Sequence, residues 1–301
     1  MDIPSLDPGF ILKLATVLLV KARKRQWRWL VRVWPRTRDI LIVRGKAIKV
    51  QYEEHLGEAQ TMHYLDQHTA IPVPKVFWAF TFRGKTYTVT SEVKGHRLCE
   101  GWLDRSQESK DAIISQLREM LTELRALPHP PGIGVASITG GSVFDSCNVG
   151  DSISGPFKDV KGFYKMLMGG NDLDHHWPDY WDDLNTLSEF YRQADYDLVF
   201  THGDLSMYNI MALGDQITGI IDWETAGWYP SFWEYTKAKN VNPFTRYWGE
   251  EIDRFMTPLP HELAMDKIRL RYFDWYGLSE GAIDAIPPEQ FNQQASRQRS
   301  W

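Results

Sequence analysis

The stretch Phe200-Thr201-His202-Gly203-Asp204-Leu205-Ser206-Met207-Tyr208-Asn209 is followed by Ile210 to Leu213, a Gly214-Asp215 turn, Ile217 to Ile221, and then Asp222-Trp223-Glu224. Two short apolar strands around a Gly-Asp turn make a β-hairpin. Asn209 stands just before the first strand and Asp222 just after the second, so the hairpin returns both to its open end. Asp204 lies on the loop that enters that end. Three oxygen-bearing side chains, two of them carboxylates, converge there without a Cys or His cluster. Hard oxygen donors of this kind suit Mg²⁺, which keeps part of its water shell and binds together with substrate phosphates. The plainer alternative is a polar hairpin end built from turn-forming Asp and Asn.

The spacing of His202, Asp204, Leu205 and Asn209 is that of a kinase catalytic loop. There the Asp accepts the proton of a substrate hydroxyl, while the Asn and a second, downstream Asp hold the metal. Such chemistry also needs a strand lysine that neutralises phosphate oxygens, paired with a helical glutamate. Lys49 lies in Ala47-Ile48-Lys49-Val50, a strand of the right type. Glu54 and Glu58 follow on one helix face at i,i+4; Glu58 is the expected partner and Glu54 its competitor. An isolated Lys49 would read as an exposed strand lysine, but the parts occur in the required order along the chain. His202 reads as a residue that orders the loop rather than as an acid or base, and Glu224 and Glu234 read as structural.

Around this centre the pattern is strand-rich first and helical later. Ile40–Val43 and Ala47–Val50 read as strands about Arg44-Gly45-Lys46, and 53–68 as a helix ended by Ile71-Pro72-Val73-Pro74. Val76–Phe82 and Thr86–Val93 form a second hairpin turned at Arg83-Gly84-Lys85. Gln107–Leu127 is a long amphipathic helix stopped by Pro128, and 128–157 is loop. Helices are expected at 159–168, 180–194, 232–239 and 261–276, with a polar tail from Pro287. The change of pattern near Glu92-Val93-Lys94-Gly95 predicts an α+β chain of two lobes: 1–93, β-rich with an N-terminal helix, and 94–301, mainly helical.

With these residues in place, the chain resembles the aminoglycoside phosphotransferase (APH) family of kinase-like enzymes, especially its fungal APH-domain group. The resemblance runs from about Asp39 to about Leu270. It rests on Thr201-His202-Gly203-Asp204-Leu205…Asn209-Ile210, on Thr218-Gly219-Ile220-Ile221-Asp222-Trp223-Glu224, and on Ala226-Gly227-Trp228-Tyr229-Pro230…Trp233-Glu234-Tyr235. It implies a two-lobed protein-kinase-like fold and transfer of the γ-phosphoryl group of ATP to a hydroxyl of a small-molecule acceptor. Carried over by motif, Asp204 would be the catalytic base, Asn209 and Asp222 the Mg²⁺ ligands, and Lys49 the phosphate lysine paired with Glu58. Backbone groups near Ser91 and Val93 would hold adenine. The chain departs from the family pattern where no Gly-rich loop precedes Lys49, where Ser91-Glu92 stands at the hinge, and at Tyr208.

Composition narrows the alternatives. Hydrophobic residues make up 43% and charged residues 24% of the 301-residue chain, as in a globular protein rather than a disordered or polytopic one. With 34 Lys+Arg against 39 Asp+Glu the net charge is -5, which gives no global reason to bind nucleic acid. Cys99 and Cys147 form neither a disulfide framework nor a zinc motif, so a cytoplasmic location is the simplest expectation; the chain is expected to act as a monomer. The 13 Trp predict either thick aromatic packing or a substrate face built from rings.

Two charge poles stand out. Lys21 to Lys49 holds eleven basic residues against Asp39, with Trp27, Trp29 and Trp34 interleaved, after an apolar run, Phe10–Val20, too short to span a bilayer. Residues 10–34 read either as a membrane-surface helix or, more simply, as a helix packed on the body with its Arg side in water. Residues 171–204 hold nine acids against Arg192, with Trp177, Tyr180 and Trp181 among them. They read as a solvated face or as a site for an amine-bearing acceptor. The competing function is a kinase-fold pseudoenzyme that binds nucleotide or metabolite without transfer, against which the intact Lys49, Asp204, Asn209 and Asp222 argue.

Overall fold

The computed structural model of the chain describes residues 5–30, 40–51, 55–144, 153–178, 181–240 and 246–273. Helix α1 (Phe10–Leu30) precedes strands β1 (Ile40–Val43) and β2 (Lys46–Gln51), helix α2 (Gly57–His68), and strands β3 (Val76–Thr81) and β4 (Thr86–Ser91). The strands form one antiparallel sheet in the order β1-β2-β4-β3. Both hairpins turn on an Arg-Gly pair with positive φ, Arg44–Gly45 and Arg83–Gly84. This conformation gives the tight turn a twist that matches its strands. The Glu54 candidate and residues Trp34 to Arg38 lie outside the described residues.

Alternation along β2 decides what faces where. Ile48 and Val50 are buried, together with Phe80, Tyr87 and Val89, against Val17 and Val20 of α1. The period of two then turns Ala47, Lys49 and Gln51 to the opposite face of the sheet. Lys46, three residues from Lys49, takes the α1 side of the alternation, and its ammonium sits 3.4 Å from the centroid of the Phe77 ring.

The rest of the chain is mainly helical. A two-residue strand β5 (His96–Arg97) leads to α3 (Gln107–Arg125), whose Ser106 cap accepts the Ser109 N–H. The loop that follows contains a small β6 (Val143–Phe144) and β7 (Ile153–Ser154) pair. Helices α4 (Val160–Leu167) and α5 (Asp182–Gln193) come next, then β8 (Leu198–Thr201), β9 (Ile210–Leu213), β10 (Gln216–Ile220) and β11 (Gly227–Pro230). Helices α6 (Trp233–Asn240), α7 (Arg246–Phe255) and α8 (Pro260–Phe273) complete the described chain.

Sheet pairing joins β10-β9-β5 and, separately, β11-β8. The hairpins and helices expected from the sequence appear with boundaries shifted by a few residues. Helix α7 and strands β5, β8 and β11 were not expected. Strands β6 and β7, inside the region read as loop, are likewise additional; all five strands are four residues or fewer, and β5, β8 and β11 are held by partners distant in sequence rather than by local periodicity. The tryptophan question resolves toward packing: Trp102, Trp223, Trp228, Trp233 and Trp248 are all fully buried.

Candidate active site

The β9–β10 hairpin does what its spacing requires. Ile220 pairs with Ile210, and the Ile221 N–H donates to the Asn209 carbonyl at 2.9 Å, so Asn209 and Asp222 emerge at the same end. Asp222 takes a left-handed backbone conformation, φ 65° and ψ 57°, which an Asp tolerates better than most residues. The turn swings its carboxylate away from the strand path and toward β2.

There Asp222 meets Lys49. Lys49 Nζ lies 2.6 Å from Asp222 Oδ1, 2.9 Å from Glu58 Oε2 and 3.3 Å from Glu224 Oε2. Glu224 Oε2 also accepts from Gln51 Nε2 at 2.7 Å. The three carboxylates form an oxygen cluster that could hold a cation, and the lysine ammonium is the cation they share. Burial opposes the charge on Lys49, but Glu58, Asp222 and Glu224 together outweigh it and hold the ammonium well above its ordinary range. Burial likewise pushes the Glu58 carboxyl up to about 7, against the pull of Lys49. For Asp222 burial is overcome by Lys49, and the carboxyl sits below its usual value.

The loop from His202 to Asn209 is braced from below. The buried Glu234 carboxylate accepts the His202 N–H at 2.6 Å and the Gly203 N–H at 3.2 Å. Gly203 has φ +80°, and a Cβ there would stand 2.9 Å from the Thr225 carbonyl. The His202 ring accepts the Asp204 N–H at Nδ1, 3.1 Å, so its proton is on Nε2, which donates to the Ile221 carbonyl at 3.0 Å. Burial depresses this imidazole to about 4, so the ring is neutral and serves as a two-ended brace.

Asp204 is the least satisfied group of the loop. Its Oδ2 accepts from Asn209 Nδ2 at 2.8 Å, while Oδ1 is buried with no hydrogen-bond partner. Burial, and then repulsion from Asp222, lift its carboxyl to about 7. Asn209 Nδ2 also donates to the Asp204 carbonyl at 2.8 Å, which turns its carboxamide oxygen away from Asp204.

These residues close one end of a cleft of about 270 Å³. Lys49, Glu58, Ser91, Val93, Asn209 and Asp222 all line it, between an apolar wall that includes Ile40, Ile42, Ala47 and Met211. Asp204 stands behind Asn209. Arg97 on β5 adds a second cation to the lining. No motif marks Arg97, because its strand is two residues long and exists only by pairing with β9. Gly219 is likewise unforeseen: a Cβ there would lie 2.7 Å from Val93 Cγ1, so its bareness lets the Val93 segment pack against β10.

Part of the acidic pole between 171 and 204 is already paired. Asp172 pairs with Lys165 at 2.5 Å, Asp174 with Arg192 at 3.4 Å, and Asp183 with Arg271 at 2.9 Å. Trp177 packs against the core beneath α4 and α5 rather than standing clear of it. Asp179 and Tyr180 lie outside the described residues.

The model of the phosphotransferase enzyme family, APH, matches residues 16–285. The chain belongs to the APH family. No curated protein matches its sequence. Among solved structures this APH-family chain is similar to the apo form of a thermostable mutant of aminoglycoside phosphotransferase APH(4)-Ia, at 16% identity over 87% of each chain, TM-score 0.54. It is also similar to that protein in a ternary complex with ADP and hygromycin B, at 15% identity over 93% of this chain and 96% of the other, TM-score 0.54. The streptomycin–ATP–APH(2″)-IIa ternary complex is a third, at 15% identity over 92% and 94%, TM-score 0.51. At such identities the likeness is one of fold, and the fold is protein-kinase-like. No described helix of this APH-family chain is long and apolar enough to cross a membrane.

Proposed function

We propose that the chain transfers the γ-phosphoryl group of ATP to a hydroxyl of a small organic acceptor. The observation that carries the reading is the meeting of Lys49, Glu58, Asn209 and Asp222 at one end of a single cleft, with the unpartnered Asp204 Oδ1 behind them. In this reading residues 1–93 form the nucleotide lobe and 94–301 the lobe that carries the catalytic loop and the acceptor.

Each residue then has a task set by its surroundings. Lys49, kept charged by three carboxylates, neutralises phosphate oxygens, and Glu58 holds it in place. Ser91 already donates its N–H to the Lys75 carbonyl, so adenine contact at Ser91 falls to its carbonyl, and the Val93 backbone supplies the second contact. The carboxamide oxygen of Asn209 and the ionised Asp222 form a hard oxygen pair that fits Mg²⁺. Mg²⁺ bound there would neutralise the charge of the phosphates. Asp204 takes the proton of the acceptor hydroxyl as its oxygen bonds to the γ-phosphorus and the bond to the ADP oxygen breaks. A carboxyl lifted toward neutrality by burial is suited to that exchange.

The acceptor is a small hydroxyl compound. An amine on the acceptor is part of this reading: among the described aspartates of the 171–204 segment, Asp204 apart, Asp172, Asp174 and Asp183 already hold basic partners, which leaves Asp182, Asp195 and Asp197 as its candidates. The test is a nucleotide-consumption screen against hydroxylated metabolites with Asp204→Asn in parallel. An acceptor that raises ADP release, lost by about 10²–10⁴-fold in the variant, is expected. Equal turnover in both proteins overturns the assignment of Asp204, and nucleotide binding with no turnover on any acceptor favours the pseudoenzyme.

A further inference from the structure

Helix α1 shows its apolar residues to water. Thr16, Val17 and Val20 are buried against the sheet. Phe10 and Ile11, by contrast, are 78% and 80% exposed, and Leu14 and Leu18 are 46% and 55% exposed. These four recur at the spacing of one helix face, where a helix resting on a globular body normally carries charge. Among the described residues no element covers them. The expectation of a helix packed with a polar outer side is therefore met only in part: the inner face packs, and the outer face is apolar.

The same helix is strongly cationic. Its 21 residues include Lys13, Lys21, Arg23, Lys24, Arg25 and Arg28 and no acid, within a chain whose net charge is -5. An exposed apolar face followed directly by a run of cations is the composition of a helix that lies in a membrane interface. Charge decides among possible occupants. A second copy would bring the same cations to the same face, as the symmetry of a dimer requires, and would be repelled. A nucleic acid would meet the cations but leave Phe10, Ile11, Leu14 and Leu18 in water. An anionic bilayer satisfies both halves.

We infer that α1 docks this protein on an anionic membrane surface. Phe10, Ile11, Leu14 and Leu18 enter the boundary between headgroups and acyl chains, and the basic half lies along the headgroups. The sheet separates this contact from the site: α1 packs on the Ile48 and Val50 face of β2, and Lys49 points the other way. Docking therefore leaves the cleft open to water.

The experiment is co-sedimentation of the full chain with phosphatidylcholine vesicles, with and without phosphatidylserine, at low and high salt. Binding that requires phosphatidylserine and weakens with salt is expected. The double variant Ile11→Glu/Leu18→Glu should lose at least about tenfold in partitioning. Its melting temperature and phosphotransfer should be unchanged, because both side chains are exposed and distant from the cleft. Failure of the wild type to sediment with phosphatidylserine vesicles overturns the inference, as does undiminished binding by the folded variant. A concentration-dependent dimer that the variant abolishes would also overturn it, in favour of self-association. Should the variant fail to fold, the lipid and salt dependence of the wild type decides alone.

Discussion

Lys49 and Asp222 stand 173 residues apart in sequence and 2.6 Å apart in space. This ion pair joins the cleft face of β2 to the open end of the β9–β10 hairpin, and so ties the proposed phosphate lysine to the proposed metal ligand. Glu224 doubles the connection by bridging Lys49 and Gln51. A bound triphosphate would have to draw Lys49 partly out of this carboxylate nest.

Lys49→Met should therefore lower kcat/KM by about 10²–10³-fold, the usual effect of removing one well-placed electrostatic group. Lys46→Met should leave turnover close to wild type, because Lys46 sits over Phe77 on the other side of the strand alternation. Steady-state kinetics of the two variants check this. A crippled Lys46 variant beside a healthy Lys49 variant would refute this strand register.

Asp222→Asn keeps a residue that tolerates the left-handed backbone at this position. It should remove the Mg²⁺-dependent part of the thermal shift produced by ATP, normally several degrees at saturating ligand. An unchanged shift places the metal elsewhere.

Gly219→Ala should act at a distance from the phosphates. The new methyl would press on Val93 Cγ1 at 2.7 Å and displace the proposed adenine end of the cleft. KM for ATP should rise about tenfold, or ~1.4 kcal/mol, while kcat holds. Isothermal titration with ADP gives the same answer without an acceptor; unaltered affinity would remove Val93 from nucleotide recognition.

The buried His202 makes stability sensitive to acid. Its folded pKa, about 4, lies below the unfolded value of 6.5. Between those values the unfolded chain takes up the proton first, so this group's contribution is present above pH 6.5 and is lost as pH falls toward 4. From pH 7.5 to 5 the wild type should lose about 2 kcal/mol more than His202→Gln in urea unfolding. Parallel losses in the two proteins would show that the ring is not a buried neutral brace.

The sequence by itself determined what short-range periodicity can encode. A two-strand hairpin must return Asn209 and Asp222 to one end, because strand length and a tight turn leave no other path. Alternation of Ile48 and Val50 with Lys49 places the lysine opposite the packed face. The β1–β2 and β3–β4 hairpins follow from their tight turns, but the pairing of β2 with β4, across α2 and β3, does not. Only the tertiary structure decided which distant groups complete the site. Glu234 reaches beneath the His202–Asn209 loop from 31 and 32 residues away. Arg97 enters the cleft on a strand that exists only against β9, and Glu224 bridges to Gln51. The acids near Asp174 acquired basic partners, and the apolar side of α1 was left in water. Hydrogen-bond periodicity is written in neighbouring residues, whereas these contacts depend on where whole elements come to rest, and on which buried charge then needs a partner.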